Sequence, residues 1–227
     1  MTSMPGWAGE ASGRVIDRSL RWSAERVLPG VCCSRRTDEP VVALTFDDGP
    51  HPGLTDAVLE VLARHEAAAT FFLIGERVTG NEDVVARIAT QGHELGNHMM
   101  TDEPSVLLSG DRFERDLAAA RRLLAPYQDV TWWRPGSGWM TPSMVRHGAG
   151  LGMRCALGTL AIVDGPPPEP GTWREQRLLA QVARGGVVVL HEGKAARQDV
   201  VDTTDWLLTR LAQRGLRSVT MSQLSRC

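Results

Sequence analysis

Val41-Val42-Ala43-Leu44-Thr45-Phe46-Asp47-Asp48-Gly49-Pro50 is an apolar run, broken only by Thr45, that stops on two adjacent carboxylates and a turn. Its length between turn signals is that of a buried strand. An ordinary Asp-Gly-Pro turn is the plain reading of its end. Two neighbouring carboxylates, however, repel each other unless a cation or an arginine neutralises them. In a regular strand they would also point to opposite faces, so the Gly49-Pro50 turn has to reorient at least one. A metal site resolves both problems.

Outward from this strand the chain alternates. Strands are expected over 41–46, 70–74, 94–97, 131–133, 154–157, 187–190 and 217–220. Helices are expected over 55–65 (Val58, Leu59 and Leu62 apolar), 82–91 (closed by Gly92), 111–125, 141–151, 173–184 and 199–214. Phe113, Leu117, Ala120, Leu123 and Leu124 share one side of the third helix. Strands alternating with helices of ten or more residues imply parallel strands joined by crossover helices. With about seven such units the candidates are a (β/α) barrel, complete or not, and an open doubly wound sheet. No Gly-rich dinucleotide fingerprint follows the first strand, which removes the best support for the second.

Composition narrows the function classes. The 227 residues carry 25 Lys and Arg against 27 Asp and Glu, a net charge of −2. That balance gives no electrostatic reason to expect a nucleic-acid or membrane partner. No apolar run approaches the roughly 20 residues needed to span a bilayer. The first 38 residues are expected to form an extension, with an amphipathic stretch over 14–26, and 39–227 the main domain. No continuous apolar segment marks a signal peptide, so a cytoplasmic location is expected. Cys32, Cys33, Cys155 and Cys227 form no C-x-x-C pair, and reduced thiols in a reducing compartment are the simplest reading.

The residues able to do chemistry fall just after strands: Asp47 and Asp48, His98 and Asp102, Arg134, Asp164, and His191. In parallel α/β folds those strand ends face the active site. His98 and Asp102, at i and i+4, share one face if their segment makes a helical turn. With Asp48 they offer two oxygens and one nitrogen, a set suited to Zn²⁺ or a related divalent ion. His93, after the Gly92 cap, has a packing role. Trp132, Trp133 and Trp139 flank Arg134; a ligand-stacking role for one of them competes with simple packing, which is expected for at least two.

Three motifs, Thr45-Phe46-Asp47-Asp48-Gly49-Pro50, Gly92-His93-Glu94-Leu95-Gly96-Asn97-His98 and Val189-Leu190-His191, resemble the polysaccharide deacetylase family (NodB-like domain, carbohydrate esterase family 4). The resemblance runs from about Val41 to Leu224. It implies a distorted (β/α) barrel and metal-dependent removal of acyl groups, usually N-acetyl groups of amino sugars. Carried over, Asp47 is the catalytic base, Arg134 its orienting partner, Asp48 and His98 metal ligands, and His191 the catalytic acid. Leu190 lines the acyl pocket, the Ser137 backbone N–H binds the oxyanion, and Asp164 tunes His191. Trp139 is a candidate substrate contact. The family's third ligand is a second histidine, and this chain has Asp102 there. Gly136-Ser137 replaces the expected Pro-Tyr after Arg134-Pro135. One divalent ion is implied, Zn²⁺ first, with Co²⁺, Ni²⁺ or Mn²⁺ as alternatives. The expected activity is hydrolytic N-deacetylation of an amino sugar or a related small molecule. The alternative is an inactive or repurposed member that binds a carbohydrate or metabolite.

Overall fold

The computed structural model describes residues 28–227. The stretch over 14–26 lies outside the described residues. The first long strand, β2 (Val41–Gly49), is buried along its whole length because it has neighbours on both sides. The remaining strands are β1 (Val31–Cys32), β3 (Thr70–Leu73), β4 (Glu94–Asn97), β5 (Trp132–Trp133), β6 (Arg154–Ala156), β7 (Leu160–Ala161), β8 (Val187–His191) and β9 (Arg217–Val219). Paired strands run parallel in the order β1-β6-β5-β4-β3-β2-β8-β7, with β9 against the start of β2.

This order forces curvature. Six inter-strand steps separate β6 from β7, about 29 Å across a flat sheet at ~4.8 Å per step. Yet β6 and β7 are joined by residues 157–159 alone, and a linker that short reaches about 14 Å at most. The sheet therefore curls until its ends approach, giving the distorted barrel expected from the sequence. The gap between the ends is partly filled by β1, which pairs with β6, while Ser34 bridges to Gly186 at the foot of β8.

Eight helices are described: α1 (Leu54–Arg64), α2 (Gly75–Val78), α3 (Glu82–Thr90), α4 (Gly110–Leu124), α5 (Pro142–Gly150), α6 (Trp173–Leu179), α7 (Asp199–Gln213) and α8 (Met221–Arg226). Their apolar stripes follow those read from the sequence: α1 buries Val58, Leu59 and Leu62, and α4 buries Phe113, Leu117, Ala120 and Leu124, with Leu123 only partly buried. Ser109 caps α4, its hydroxyl accepting from Arg112 N, and Thr141 caps α5 in the same way. The helix expected over 173–184 stops at Leu179. At its end the Arg214 guanidinium caps the carbonyls of Leu179 and Val182 (2.8 and 3.0 Å). Among the described residues no helix is long and apolar enough to cross a membrane.

Candidate active site

Thr45, Asp47 and Asp48 lie at the end of β2. Pairing with β3 shifts between Asp47 and Gly49, and Asp48 takes a φ of 71° at that irregularity. A bulge of this kind re-aims side chains, and here it sends both carboxylates into one cleft. A non-glycine residue at positive φ is uncommon, and such residues cluster at functional sites. A Cβ at Gly49 would fall on the buried Glu192 carboxyl, so a larger residue there would force that side chain to move.

Asp47 is wired first. Arg134, just past β5, donates from Nη1 to Asp47 Oδ1 (2.6 Å) and to Thr45 Oγ1 (2.8 Å), and from Nε to the Ala156 carbonyl (3.1 Å). The Thr45 hydroxyl in turn donates to the Val188 carbonyl (2.9 Å). Both Arg134 and Asp47 are almost completely buried, and the guanidinium lies 4.1 Å from the centre of the Phe72 ring. Arg134 Nη2 is buried without a hydrogen-bond partner.

His98 follows β4. Its Nδ1 lies 2.9 Å from the Arg134 carbonyl, which can only accept, so Nδ1 carries a proton. Nε2 then faces Asp48 Oδ1 at 3.2 Å. Burial works against charge on both partners. Hydrogen bonding and attraction outweigh it, so His98 is pushed up and Asp48 is held well below the usual carboxylate range by His98 and Arg197. Two atoms that share a proton in this way also suit a divalent ion. Ligands of a tetrahedral zinc at ~2.0 Å bonds sit about 3.3 Å apart, and metal-binding histidines usually spend their other N–H on a carbonyl.

Asp102 does not join them. The expected helical turn is absent because Met99 has a φ of 70°, with its N–H on Asn97 Oδ1 (2.8 Å), and the chain then pairs with the start of α2. Asp102 ends at the rim, its Oδ2 held by Arg77 Nη2 and Lys194 Nζ, both at 3.0 Å. Among the described residues no three His, Cys, Asp or Glu side chains converge as a metal set. The donor pair Asp48–His98 fits a divalent ion; the expected third donor is engaged elsewhere.

His191 pairs with Asp47 in the β2–β8 register, on the same edge. Its Nδ1 lies 3.7 Å from Asp164 Oδ1, and Asp164 Oδ2 accepts from Arg197 Nε at 2.8 Å. Ser137 stands at a φ of 65° in the turn Gly136–Gly138 and borders the cleft. That cleft, about 320 Å³, is lined by Asp47, Asp48, His98, Arg134, Val189 and His191 among others. Leu190 is not part of it. Val189 and His191 line the cleft, and Leu190 borders a small void of about 10 Å³ that it shares with His191, Asp164, Arg197, Ile162 and Val200. Trp139 is 71% exposed just past the Gly138 edge, whereas Trp132 and Trp133 are buried. His93 is buried edge-on to Phe71 (5.6 Å).

Four residues that no motif singled out complete the site. Arg77 donates to the Asp48 carbonyl and to Asp102. Arg197 donates to Asp48 Oδ2 (2.5 Å), Lys194 reaches Asp102, and Glu192 lies beneath the turn after β2 with the Thr55 hydroxyl on its Oε2 (2.7 Å). Burial pushes the Glu192 carboxyl up to about 8. For Glu192 the local signal was position, directly after a strand that ends on His191.

The comparisons with known proteins agree with this geometry. The polysaccharide deacetylase family model matches residues 34–156, more than half of the chain. The peptidoglycan-N-acetylglucosamine deacetylase of Bacillus cereus is 30% identical over 191 residues, covering 83% of this chain and 90% of that protein. A crystal structure of a peptidoglycan N-acetylglucosamine deacetylase superposes with a TM-score of 0.81 at 24% identity, over 89% of this chain and 95% of the other; this likeness speaks to fold alone. A carbohydrate esterase family 4 pseudoenzyme from Bacillus anthracis superposes at a TM-score of 0.76 with 25% identity, over 86% of this chain and 69% of the other. Sequence match, fold and the clustering of motif residues at one strand edge lead to one assignment: the chain belongs to the polysaccharide deacetylase family.

Proposed function

We propose that this protein hydrolyses the N-acetyl amide of an amino sugar, with a divalent ion, Zn²⁺ first, held by Asp48 and His98. The observation that carries the reading is the buried Asp47–Arg134 pair beside the Asp48–His98 pair and across from His191. When bound, such an ion lowers the pKa of a coordinated water towards ~7 and polarises a carbonyl. Asp47 Oδ1 is occupied by Arg134, so Oδ2 is the oxygen that takes the proton of the attacking water. Arg134 fixes the carboxylate in that orientation. The backbone N–H of Ser137, a residue that lines the cleft, serves the oxyanion. His191, oriented by Asp164, returns a proton to the departing amine. A cleft of this size and polarity suits a sugar unit, in line with the relatives' printed activities.

The test is acetate release from N-acetylglucosamine oligomers, before and after chelator treatment and metal return. Chelator-sensitive release supports the reading. A second reading has its own observation: Asp102 is held by Arg77 and Lys194, and a pseudoenzyme is among the structural neighbours. Oligomer binding without acetate release under any metal would favour that binding role.

A further inference from the structure

We propose that Arg197 is a positioning residue that assigns the carboxylate oxygens on both halves of the active site. The inference rests on the deacetylase reading above and concerns a residue outside every motif of the chain. One guanidinium spans two acids: Nη1 takes Asp48 Oδ2 at 2.5 Å, and Nε takes Asp164 Oδ2 at 2.8 Å. Asp48 is left with Oδ1, the oxygen beside His98 Nε2. Asp164 is left with Oδ1, the oxygen towards His191. The planar fork of arginine makes this division, and a lysine ammonium, being a point charge, does not.

The approach of Arg197 is built into the chain. Residues 193–197 leave β8 and fold back over the end of β2. A Cβ at Gly193 would fall on the Asp48 carbonyl and the Arg77 guanidinium, so glycine is what lets this segment close. Lys194 ties the segment to Asp102 (3.0 Å), and a short turn over Ala195–Arg197 delivers the guanidinium. Arg197 is 16% exposed, sheltered enough for its charge to act on Asp48 with little screening.

Two consequences separate this role from a merely structural tie. Arg197 balances Asp48 and withholds one of its oxygens, so its loss tightens binding of a divalent ion. It also holds Asp164, so its loss slows the step that needs His191 to protonate an amine. The experiment compares wild type with Arg197→Ala, Arg197→Gln and Arg197→Lys. Co²⁺ affinity is measured by calorimetry, and turnover on an N-acetyl sugar is set against turnover on an activated acetate ester.

Arg197→Ala should bind Co²⁺ about tenfold more tightly, the scale set by removing one charge at contact distance. It should lose roughly 10- to 100-fold in amide kcat, with KM and ester turnover much less affected. Added guanidinium ion should restore part of the amide activity. Arg197→Lys should bring Co²⁺ affinity back towards wild type while amide turnover stays low. Unchanged Co²⁺ affinity together with equal losses on amide and ester overturns the proposal, as does full amide activity in Arg197→Lys. Should Arg197→Ala fail to fold, Arg197→Gln carries the same comparison. If wild type and variants bind no Co²⁺, the metal reading fails and the amide–ester split decides for Arg197. If wild type releases no acetate, the deacetylase reading fails and the affinity change decides. Absence of both signals overturns the proposal.

Discussion

The Asp47–Arg134 corner and the Asp102–Lys194 corner are made of the same chemistry, a carboxylate facing a basic side chain, and they are built in opposite ways. At the first, both side chains are more than nine-tenths buried, and strand-end backbone and the Thr45 hydroxyl fix the guanidinium. At the second, the side chains are 38% and 52% exposed and sit on loops. Buried charge pairs are costly to break because one charge is left without water or partner, whereas exposed pairs are screened. Rigid strand ends hold the group that needs a defined direction, and solvated loops hold groups that reach over the cleft.

The strongest way to break this contrast is Asp47→Asn. Measured on protein that is still folded and metal-loaded, it should reduce acetate release by roughly 10²- to 10⁴-fold, the range of acid–base catalysis, and it should lower stability as well, because Arg134 is left buried without its anion. Steady-state turnover with a metal titration checks it, and undiminished turnover would remove Asp47 from the reaction. Next comes Arg134→Met, which leaves Asp47 buried without its partner. It should cost about 3–5 kcal/mol of stability, read from denaturant unfolding. A loss below 1 kcal/mol would mean the two corners do not differ.

Glu192 offers a third case, a buried carboxyl with no cation on it. Its pKa is pushed up to about 8 by burial, against 4.5 for the free side chain. Between those values the unfolded chain releases the proton and the folded protein keeps it. The unfolded state then binds fewer protons, so stability falls as pH rises through this window, with a slope of up to about 1.4 kcal/mol per pH unit. Glu192→Gln keeps an acceptor for Thr55 and should flatten that slope. Melting temperatures measured from pH 5 to 8 check it, and parallel curves for variant and wild type would refute it.

The smallest effect is expected at Asp102→Asn. Loss of its two half-exposed bridges should change stability by less than about 1 kcal/mol. Co²⁺ affinity should fall far less than in Asp48→Asn or His98→Ala, since Asp102 does not face those donors. Equal losses in all three variants would restore Asp102 as a third ligand.

How much of this was legible differs by residue. Asp47, Asp48, Arg134 and His191 were readable because apolar runs mark buried strands and the next residues must emerge at the strand edge. Two-residue strands such as β1 and β7 carry no period to read; their neighbours define them. Leu190 was expected at the acyl pocket; the structure puts Val189 in the main cleft and Leu190 at the small void beside His191, a division that is known only once β2 and β8 are in register.

The barrel rested on the family resemblance and its curl on the strand order of the structure, whereas the apolar periods, the turn residues and the order of motifs were enough to determine parallel strands alternating with helices, with acids, histidines and one arginine at a single edge. Those features act over a few residues and follow from burial and backbone sterics. The basic partners of Asp48 and Asp102 were decided only in three dimensions. Arg197 meets Asp48 across 149 positions and Arg77 meets Asp102 across 25. Met99, at positive φ, turns Asp102 away from the face that helical spacing would have given it. Long side chains on loops find whatever charge the fold brings within reach, and no local pattern encodes that distance.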